Sequence, residues 1–327
     1  VSPASDLRGG IDLGGTKIQT AIVDAKGEVK GEARRETPHK GGPEAVAKEM
    51  AAALSEAAQA AGVEPASLSG VGVGSPGDAN EKTGTVSAAR NIPGWEGSFE
   101  LGPALADALG TEVRVGNDVQ VATDAEFHLG AGKPYDTILG VFWGTGVGGG
   151  LILDGKSWLG RGAAAEIGHM VVKMDGAKCP CGRRGCMEAY AGRGAMEAKA
   201  REEMEDGQKT KLFELAEKHN KDRLTSGIWE RALDHGDELA EKLIERALEA
   251  LGAAIGSAVN LIDPEAIVFG GGMGLRLGPR YEKELRKEIH KHLFVDDNPP
   301  AFVIASLGDL GGAIGASLLV AKPSVPA

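Results

Sequence analysis

Three cysteines occur in the chain, Cys179, Cys181 and Cys186, all inside eight residues, and His169 precedes the first of them by ten. An odd, clustered set is poor material for a disulfide framework and good material for a metal site. One imidazole and three thiolates make the closed tetrahedral set that Zn²⁺ favours in structural sites. Pro180 and the neighbouring glycines let so short a loop wrap round an ion. With all four positions filled by protein, a zinc there does not activate water; it shapes the loop. A chance cluster of thiols is the plainer alternative. Glu166 lies three residues before His169, and Glu188 two after Cys186. A neutral imidazole can give one nitrogen to zinc and the other to a substrate hydroxyl. Flanked by the two acids, it would form a hydrogen-bonding set suited to a polyol. Taken singly, either Glu reads equally well as a surface carboxylate beside a structural ion.

Two further stretches bear on phosphate and proton chemistry. Asp12-Leu13-Gly14-Gly15-Thr16-Lys17 follows a strand and turns tightly. Its glycines leave backbone N–H groups open to an anion, Thr16 adds a hydroxyl and Lys17 a charge. Asp12 can hold Mg²⁺ through water, since that ion keeps several waters and accepts few carboxylates. A plain β-hairpin turn is the alternative, and the stretch lacks the spacing and the helix of a P-loop. Asn117-Asp118 ends a short strand and opens a helix. A carboxylate there can take the proton from a hydroxyl attacking a γ-phosphate. Asn and Asp are equally the preferred helix N-caps. Asn91-Ile92-Pro93-Gly94-Trp95 offers an amide and an aromatic ring in a stiff turn, for sugar contact or, in the case of Trp95, for core packing.

The elements that position these residues follow from periodicity. Residues 7–13, 17–23 and the stretch after the turn at 24–27 read as three strands. An Ala-rich helix over 44–61 ends at Gly62, and 68–74 reads as a buried strand broken by Pro76-Gly77. Residues 101–109 read as helix, 113–115 as extended and 119–129 as helix. A strand over 137–142 then enters Gly144-Thr145-Gly146, 149–153 leaves it, and Asp154-Gly155 turns. Gly14 matches Gly144 and Asp24 matches Asp154 at the same spacing, a faint duplication of a hairpin whose glycine turn can touch a phosphate. Residues 193–261 are mostly helical. A strand over 262–269 feeds a glycine turn at Gly270-Gly271-Gly272, 281–293 is helical, 302–305 is a strand, and Gly311-Gly312 opens a last small-residue helix to 320.

Bulk properties restrict the function further. The 327 residues suit two packed lobes, and 42% hydrophobic with 25% charged residues is ordinary for a globular protein. A net charge of −11 opposes binding to nucleic acid. No apolar run of about 18 residues and no leader-like start is visible, so the expected location is cytoplasmic, with no membrane partner. The 50 glycines fall in discrete clusters, as tight turns and close backbone approaches to ligands require.

In these residues the chain resembles the ROK family (repressors, open reading frames, sugar kinases), most closely its glucokinase-like members. The matching pieces are Asp12-Leu-Gly-Gly-Thr-Lys17, Asn91-Ile-Pro-Gly-Trp95, Asn117-Asp118, Gly144-Thr-Gly146, Glu166-Ile-Gly-His169, Cys179-Pro-Cys-Gly-Arg-Arg-Gly-Cys-Met-Glu188 and Gly270-Gly-Gly272, in the family's order. The resemblance implies an α/β fold of the actin-like, ribonuclease H-like kind, two lobes with ATP and sugar in a central cleft. It implies that Asp118 is the catalytic base and that Asn91, Asn117, Asp118, Glu166, His169 and Glu188 contact the sugar. Zinc would be held by His169, Cys179, Cys181 and Cys186. The nucleotide with its Mg²⁺ would meet Asp12, Gly14, Gly15, Thr16, Lys17, Gly144, Thr145, Gly146, Gly271 and Gly272. On this reading 1–119 with 310–327 forms a small α/β lobe, and 120–309 a large one carrying the zinc loop. Many relatives are dimers or tetramers, so a homodimer or homotetramer is expected. One departure is Ala189-Tyr190-Ala191-Gly192, where many glucokinases carry Ala-Ser-Gly; it leaves the sugar's identity open.

The expected activity is therefore an ATP:hexose 6-phosphotransferase, glucokinase foremost, serving carbohydrate breakdown by glycolysis. An N-acetylhexosamine kinase and a polyphosphate-using glucokinase are the rivals. A sugar-responsive regulator is the remote one. Such relatives place a winged helix-turn-helix ahead of the sugar-binding part, whereas here the phosphate loop begins at Asp12 and the net charge opposes DNA binding.

Overall fold

Two stretches of short strands, each rich in glycine and β-branched residues, open two separate parts of the chain. The computed structural model describes residues 6–89 and 92–321, and these divide into two compact units. The first takes the described residues through Lys133, a short return over Lys156–Ala164, and those from Ser306 onward. It begins with the hairpin β1 (Arg8–Leu13) and β2 (Lys17–Val23), then β3 (Val29–Glu36), helix α1 (Gly42–Ala60) and β4 (Val71–Ser75). A small antiparallel sheet of β5 (Asp78–Asn80), β6 (Thr85–Ser87) and β7 (Ser98–Phe99) follows, then α2 (Leu101–Leu109), β8 (Val113–Asn117) and α3 (Asp118–Leu129). The main sheet runs β3-β2-β1-β4-β8, antiparallel through the hairpin strands and parallel from β1 onward.

The second unit repeats this plan. β9 (Ile138–Trp143) and β10 (Val147–Leu153) form its hairpin; β11 (Lys156–Ser157) lies in the return segment of the first unit. Helices α4 (Glu188–Ala191), α5 (Arg193–Glu205), α6 (Leu212–Lys218), α7 (Ser226–Asp234) and α8 (Glu238–Ile262) come next, then β12 (Ala266–Gly270), α9 (Gly271–His290) and β13 (Ala301–Ile304). α10 (Gly311–Leu318) belongs to the first unit. The order β10-β9-β12-β13 has the same directions as β2-β1-β4-β8. The hairpin duplication expected from Gly14 and Gly144 is thus a duplication of the sheet.

Burial explains the strand sequences. β4 and β12 are covered on both faces and buried at every position, so they read as continuous small or apolar runs without alternation. α10 seats directly on the first sheet because Gly10 and Gly72 carry no side chain. A Cβ at either would come within 1.8 Å of the Ala313 or 1.7 Å of the Ala316 carbonyl oxygen. α8 is capped by the Asp237 carboxylate, which accepts the Ala240 amide at 2.9 Å, and presents an apolar stripe from Leu239 to Val259. Trp143, Trp229 and Phe269 are fully buried in the second core; Ile11, Met50 and Leu54 are in the first.

Several expectations shift. The strand expected over 262–269 is the end of α8, a left-handed Asp263 and then β12 over Ala266–Gly270. The expected glycine turn at 270–272 is instead the start of α9, which continues through Pro279 where the helix was expected only from 281. Packing of α9 on α8 overrides local propensity there. The first unit runs to Lys133 and resumes at Ser306, not to 119 and from 310, because α3 packs on α10. No helix among the described residues is long and apolar enough to cross a membrane.

Candidate active site

In the first unit, the strand register places the candidate groups. Asp12 of β1 lies opposite Gly74 of β4, which lies opposite Gly116 of β8. At about 4.8 Å per strand, Asp12 and the Asn117-Asp118 pair stand at the same C-terminal end of the parallel strands, two strands apart. Asn117 is the N-cap of α3: its side-chain oxygen accepts the Val119 and Gln120 amides, each at 3.0 Å. The capping role therefore falls to Asn117. Asp118 takes the first helical position, half-buried, with Oδ1 also 3.0 Å from the Val119 amide.

Asp12 is half-buried, and its pKa is raised from 3.8 to about 6, chiefly by loss of solvent; Lys17 pulls it down and Asp309 pushes it up. Lys17 Nζ is 3.4 Å from Asp309. The Asp12 carboxylate lies against Gly312 at the start of α10, where a Cβ would come within 2.7 Å of it. The turn between them is firm: the Gly14 amide donates to the Lys17 carbonyl at 2.9 Å, and the Thr37 hydroxyl to the Gly14 carbonyl at 2.7 Å. Gly15 is half-buried and Thr16 exposed. A desolvated hard-oxygen donor of this kind fits Mg²⁺.

In the second unit, the Gly144-Thr145-Gly146 loop is closed by the Gly144 amide donating to the Gly146 carbonyl at 2.9 Å. Arg193 clamps it. The Arg193 amide donates to the Gly144 carbonyl at 3.1 Å, Nη2 to the Thr145 hydroxyl at 2.8 Å and Nη1 to the Leu224 carbonyl at 2.9 Å. Burial lowers the Arg193 pKa, Glu197 opposes and Arg223 adds to the lowering. Gly271, at φ +80°, opens α9 without a side-chain cap, and beside Gly272 there is open space. Amides at such a helix start suit an anion.

The zinc-type cluster forms as expected. The donor atoms of His169, Cys179, Cys181 and Cys186 all lie within 4.8 Å of one another. Cys181 Sγ and Cys186 Sγ are 3.8 Å apart, and His169 Nδ1 is 3.8 Å from Cys179 Sγ. Tetrahedral bonds of about 2.3 Å put sulfurs about 3.8 Å apart, so the set fits Zn²⁺. Burial pushes the Cys179 thiol up to about 12. Against burial, the Arg183 amide and the neighbouring thiols bring Cys181 down to about 7. The other imidazole nitrogen, Nε2, is 3.9 Å from Glu166. Glu188 Oε2 accepts the Val147 amide at 2.9 Å, and its Oε1 is 4.0 Å from Cys179 Sγ.

Glu166, His169 and Glu188 thus come together around the cysteine loop, and Asp12 and Asp118 at one end of the parallel strands. Asn91 lies outside the described residues. Trp95 is buried and stacks edge-on against Phe99 at 5.9 Å, the core role rather than a sugar contact. Sequence reasoning missed Arg193, whose signal was only an Arg opening a helix after Gly192. It also missed the task of Tyr190, whose hydroxyl accepts the Ala177 amide at 2.8 Å and braces the metal loop.

The chain is 32% identical to the glucokinase of Thermotoga maritima over 321 residues, 95% of this chain and 96% of that protein. It is 31% identical to the N-acetyl-D-glucosamine kinase of Salmonella heidelberg over 327 residues, covering 95% and 98%. Its fold matches that of a ROK family glucokinase from Streptomyces griseus, solved with glucose and AMPPNP. The TM-score is 0.81 at 31% identity, over 96% of this chain and 98% of that one. The duplicated sheets are therefore those of an actin-like α/β protein. With the ROK family model matching residues 8–323, the chain belongs to the ROK family.

Proposed function

We propose that this protein is an ATP-dependent hexose 6-phosphotransferase acting on glucose. The observation that carries the reading is the divided imidazole of His169, with Nδ1 toward the thiols and Nε2 toward Glu166. A ring fixed by a metal on one side presents its other nitrogen, with Glu166 and Glu188, to the hydroxyls of a sugar. Asp118 takes the proton of the primary hydroxyl as that oxygen attacks the γ-phosphorus. Asn117 and Asn91 are assigned to the sugar as well.

The glycine turns at 14–15 and 144–146, with Thr16, Lys17, Thr145, Gly271 and Gly272, receive the nucleotide. Mg²⁺, held through Asp12, supplies neutralisation of the phosphate charge. Zn²⁺, held by His169, Cys179, Cys181 and Cys186, supplies rigidity to the loop. The complex of the S. griseus relative with glucose and AMPPNP supports this choice of substrates.

A second reading, an N-acetylhexosamine kinase, is favoured by full-length identity to the S. heidelberg enzyme. ADP release, or product formation with polyphosphate as donor, measured across glucose, mannose, fructose, N-acetylglucosamine and N-acetylmannosamine separates the readings. Glucose with ATP is expected to give the highest kcat/KM. A preference for an acetylated sugar transfers the assignment to the second reading, and no turnover of any hexose removes both.

A further inference from the structure

Glu126 is buried, 2% exposed, in the last turns of α3, and the chemistry proposed above gives it no task. Its carboxylate is saturated by donors from two segments, one just after the helix and one about 180 residues away. Oε1 accepts the Ser306 and Leu307 amides at 2.9 and 2.8 Å. Oε2 accepts the Ala131 amide at 2.8 Å and the Ser306 hydroxyl at 3.2 Å. Gly130 makes room for it: a Cβ there would stand 2.1 Å from Oε2. Burying a carboxylate costs several kcal/mol unless charge-assisted hydrogen bonds fill its lone pairs, and here backbone donors from two segments fill them.

What those donors belong to gives the carboxylate a purpose. Ser306 and Leu307 lead directly into the turn Gly308–Leu310 and the start of α10. That turn carries Asp309, which pairs with Lys17, and α10 opens with Gly311 and Gly312, the second of which the Asp12 carboxylate rests against. At the other end of α3 from Glu126, the helix opens with Asp118. Ala131 and Ser306 also lie just inside the points, Lys133 and Ser306, where the chain leaves and re-enters the first unit.

We infer that Glu126 is a positioning residue for phosphoryl transfer, fixing the helix that carries Asp118 in register with the 306–312 segment that frames Asp12. This rests on the function proposed above. It acts through backbone geometry and touches neither sugar nor nucleotide. Three of the residues assigned to the sugar, Glu166, His169 and Glu188, are in the other unit, so its loss is read chiefly in turnover and in the KM for Mg·ATP, with a smaller effect on sugar affinity through Asn117 and Asp118. In Glu126→Gln one oxygen becomes an NH₂ group facing N–H donors, so at least one of the backbone bonds is lost. Glu126→Asp keeps the charge and both acceptors on a shorter arm.

The test compares wild type with Glu126→Gln and Glu126→Asp by steady-state kinetics, by glucose binding without nucleotide, and by amide hydrogen exchange. Expected for Glu126→Gln are a fall in kcat of at least about tenfold, a raised KM for Mg·ATP, and glucose affinity within about twofold of wild type. Glu126→Asp should recover part of the loss. Exchange should quicken over 306–312 and stay unchanged over 165–190. If Glu126→Gln does not fold, Gly130→Ala, which displaces the carboxylate without removing it, is read in the same way. Wild-type kcat and Mg·ATP KM would overturn the inference, as would equal losses of sugar and nucleotide affinity. Should the wild type phosphorylate no sugar, the exchange pattern still decides the role of Glu126 separately.

Discussion

Glu188 and Val147 are joined by a 2.9 Å hydrogen bond from the Val147 amide to the Glu188 carboxylate. The acid assigned to the sugar thereby also holds the first residue of β10, directly after the Gly144–Gly146 loop. Its other oxygen faces Cys179 at 4.0 Å, so one side chain links the Gly144–Gly146 loop to the cysteine loop. Glu188→Gln keeps an acceptor for the Val147 amide and should raise the sugar KM about tenfold or more with little change in the Mg·ATP KM. Glu188→Ala leaves that amide unpaired and should raise both. Saturating each substrate in turn separates the two effects; an Ala variant with a normal nucleotide KM would break the link.

Asn117 caps α3 beside its assignment to the sugar, while Asp118 is assigned the chemistry. Asn117 alone reaches both the Val119 and Gln120 amides, so Asn117→Ala should cost about 1 kcal/mol of stability, as loss of an N-cap does. Asp118→Ala should lose at least ~10²-fold in kcat, the low end for a positioned base, with a much smaller change in unfolding midpoint. Thermal unfolding beside single-turnover rates checks both. Near-normal turnover in the Asp118 variant would remove it from the base role.

Metal removal should reach the sugar. His169 Nδ1 faces the thiols and Nε2 faces Glu166, so a ring released by Cys181→Ser or by strong chelation is free to turn. Glucose affinity and the unfolding midpoint should both fall, and zinc added back to the chelated wild type should restore both. Titration calorimetry with glucose on metal-loaded and metal-free protein is the measurement. Unchanged affinity without metal would separate the loop from the sugar.

The parts legible in the sequence are those whose partners are near in sequence. The four candidate metal donors fall within residues 169–186, and each hairpin closes over a few residues, so the cluster and the duplicated hairpins could be read directly. Arg193 could not, because the Thr145 and Leu224 it clamps are 48 and 31 residues away. Glu126 could not either, since its bonds to Ser306 and Leu307 span 180 and 181 residues. For the same reason the limit of the first unit was misplaced at 119: α3 looks like the start of something new until its packing on α10, at the far end of the chain, is known. At Gly270-Gly271-Gly272 the local signal said turn, while the packing of α9 on α8 makes it a helix start.

Asp12 gives a pH signature with a definite sign. Its folded-state pKa is raised from 3.8 to about 6, first by burial, so the folded protein binds this proton more tightly than the unfolded chain does. The associated stability is complete below pH 3.8, falls as pH rises toward 6, and is lost above that. In metal-free protein, Asp12→Asn removes the buried charge and should be more stable than wild type at pH 7, by on the order of 2–3 kcal/mol at most. The difference should vanish near pH 4. Mg·ATP should narrow it at pH 7 by stabilising the wild type, because a cation offsets the desolvated carboxylate that the Asn variant lacks. The same variant should lose turnover. Unfolding curves for both proteins from pH 4 to 8, with and without Mg·ATP, make the comparison. A stability difference that does not change with pH would show that the carboxylate stays ionised throughout, and that burial does not set its proton affinity.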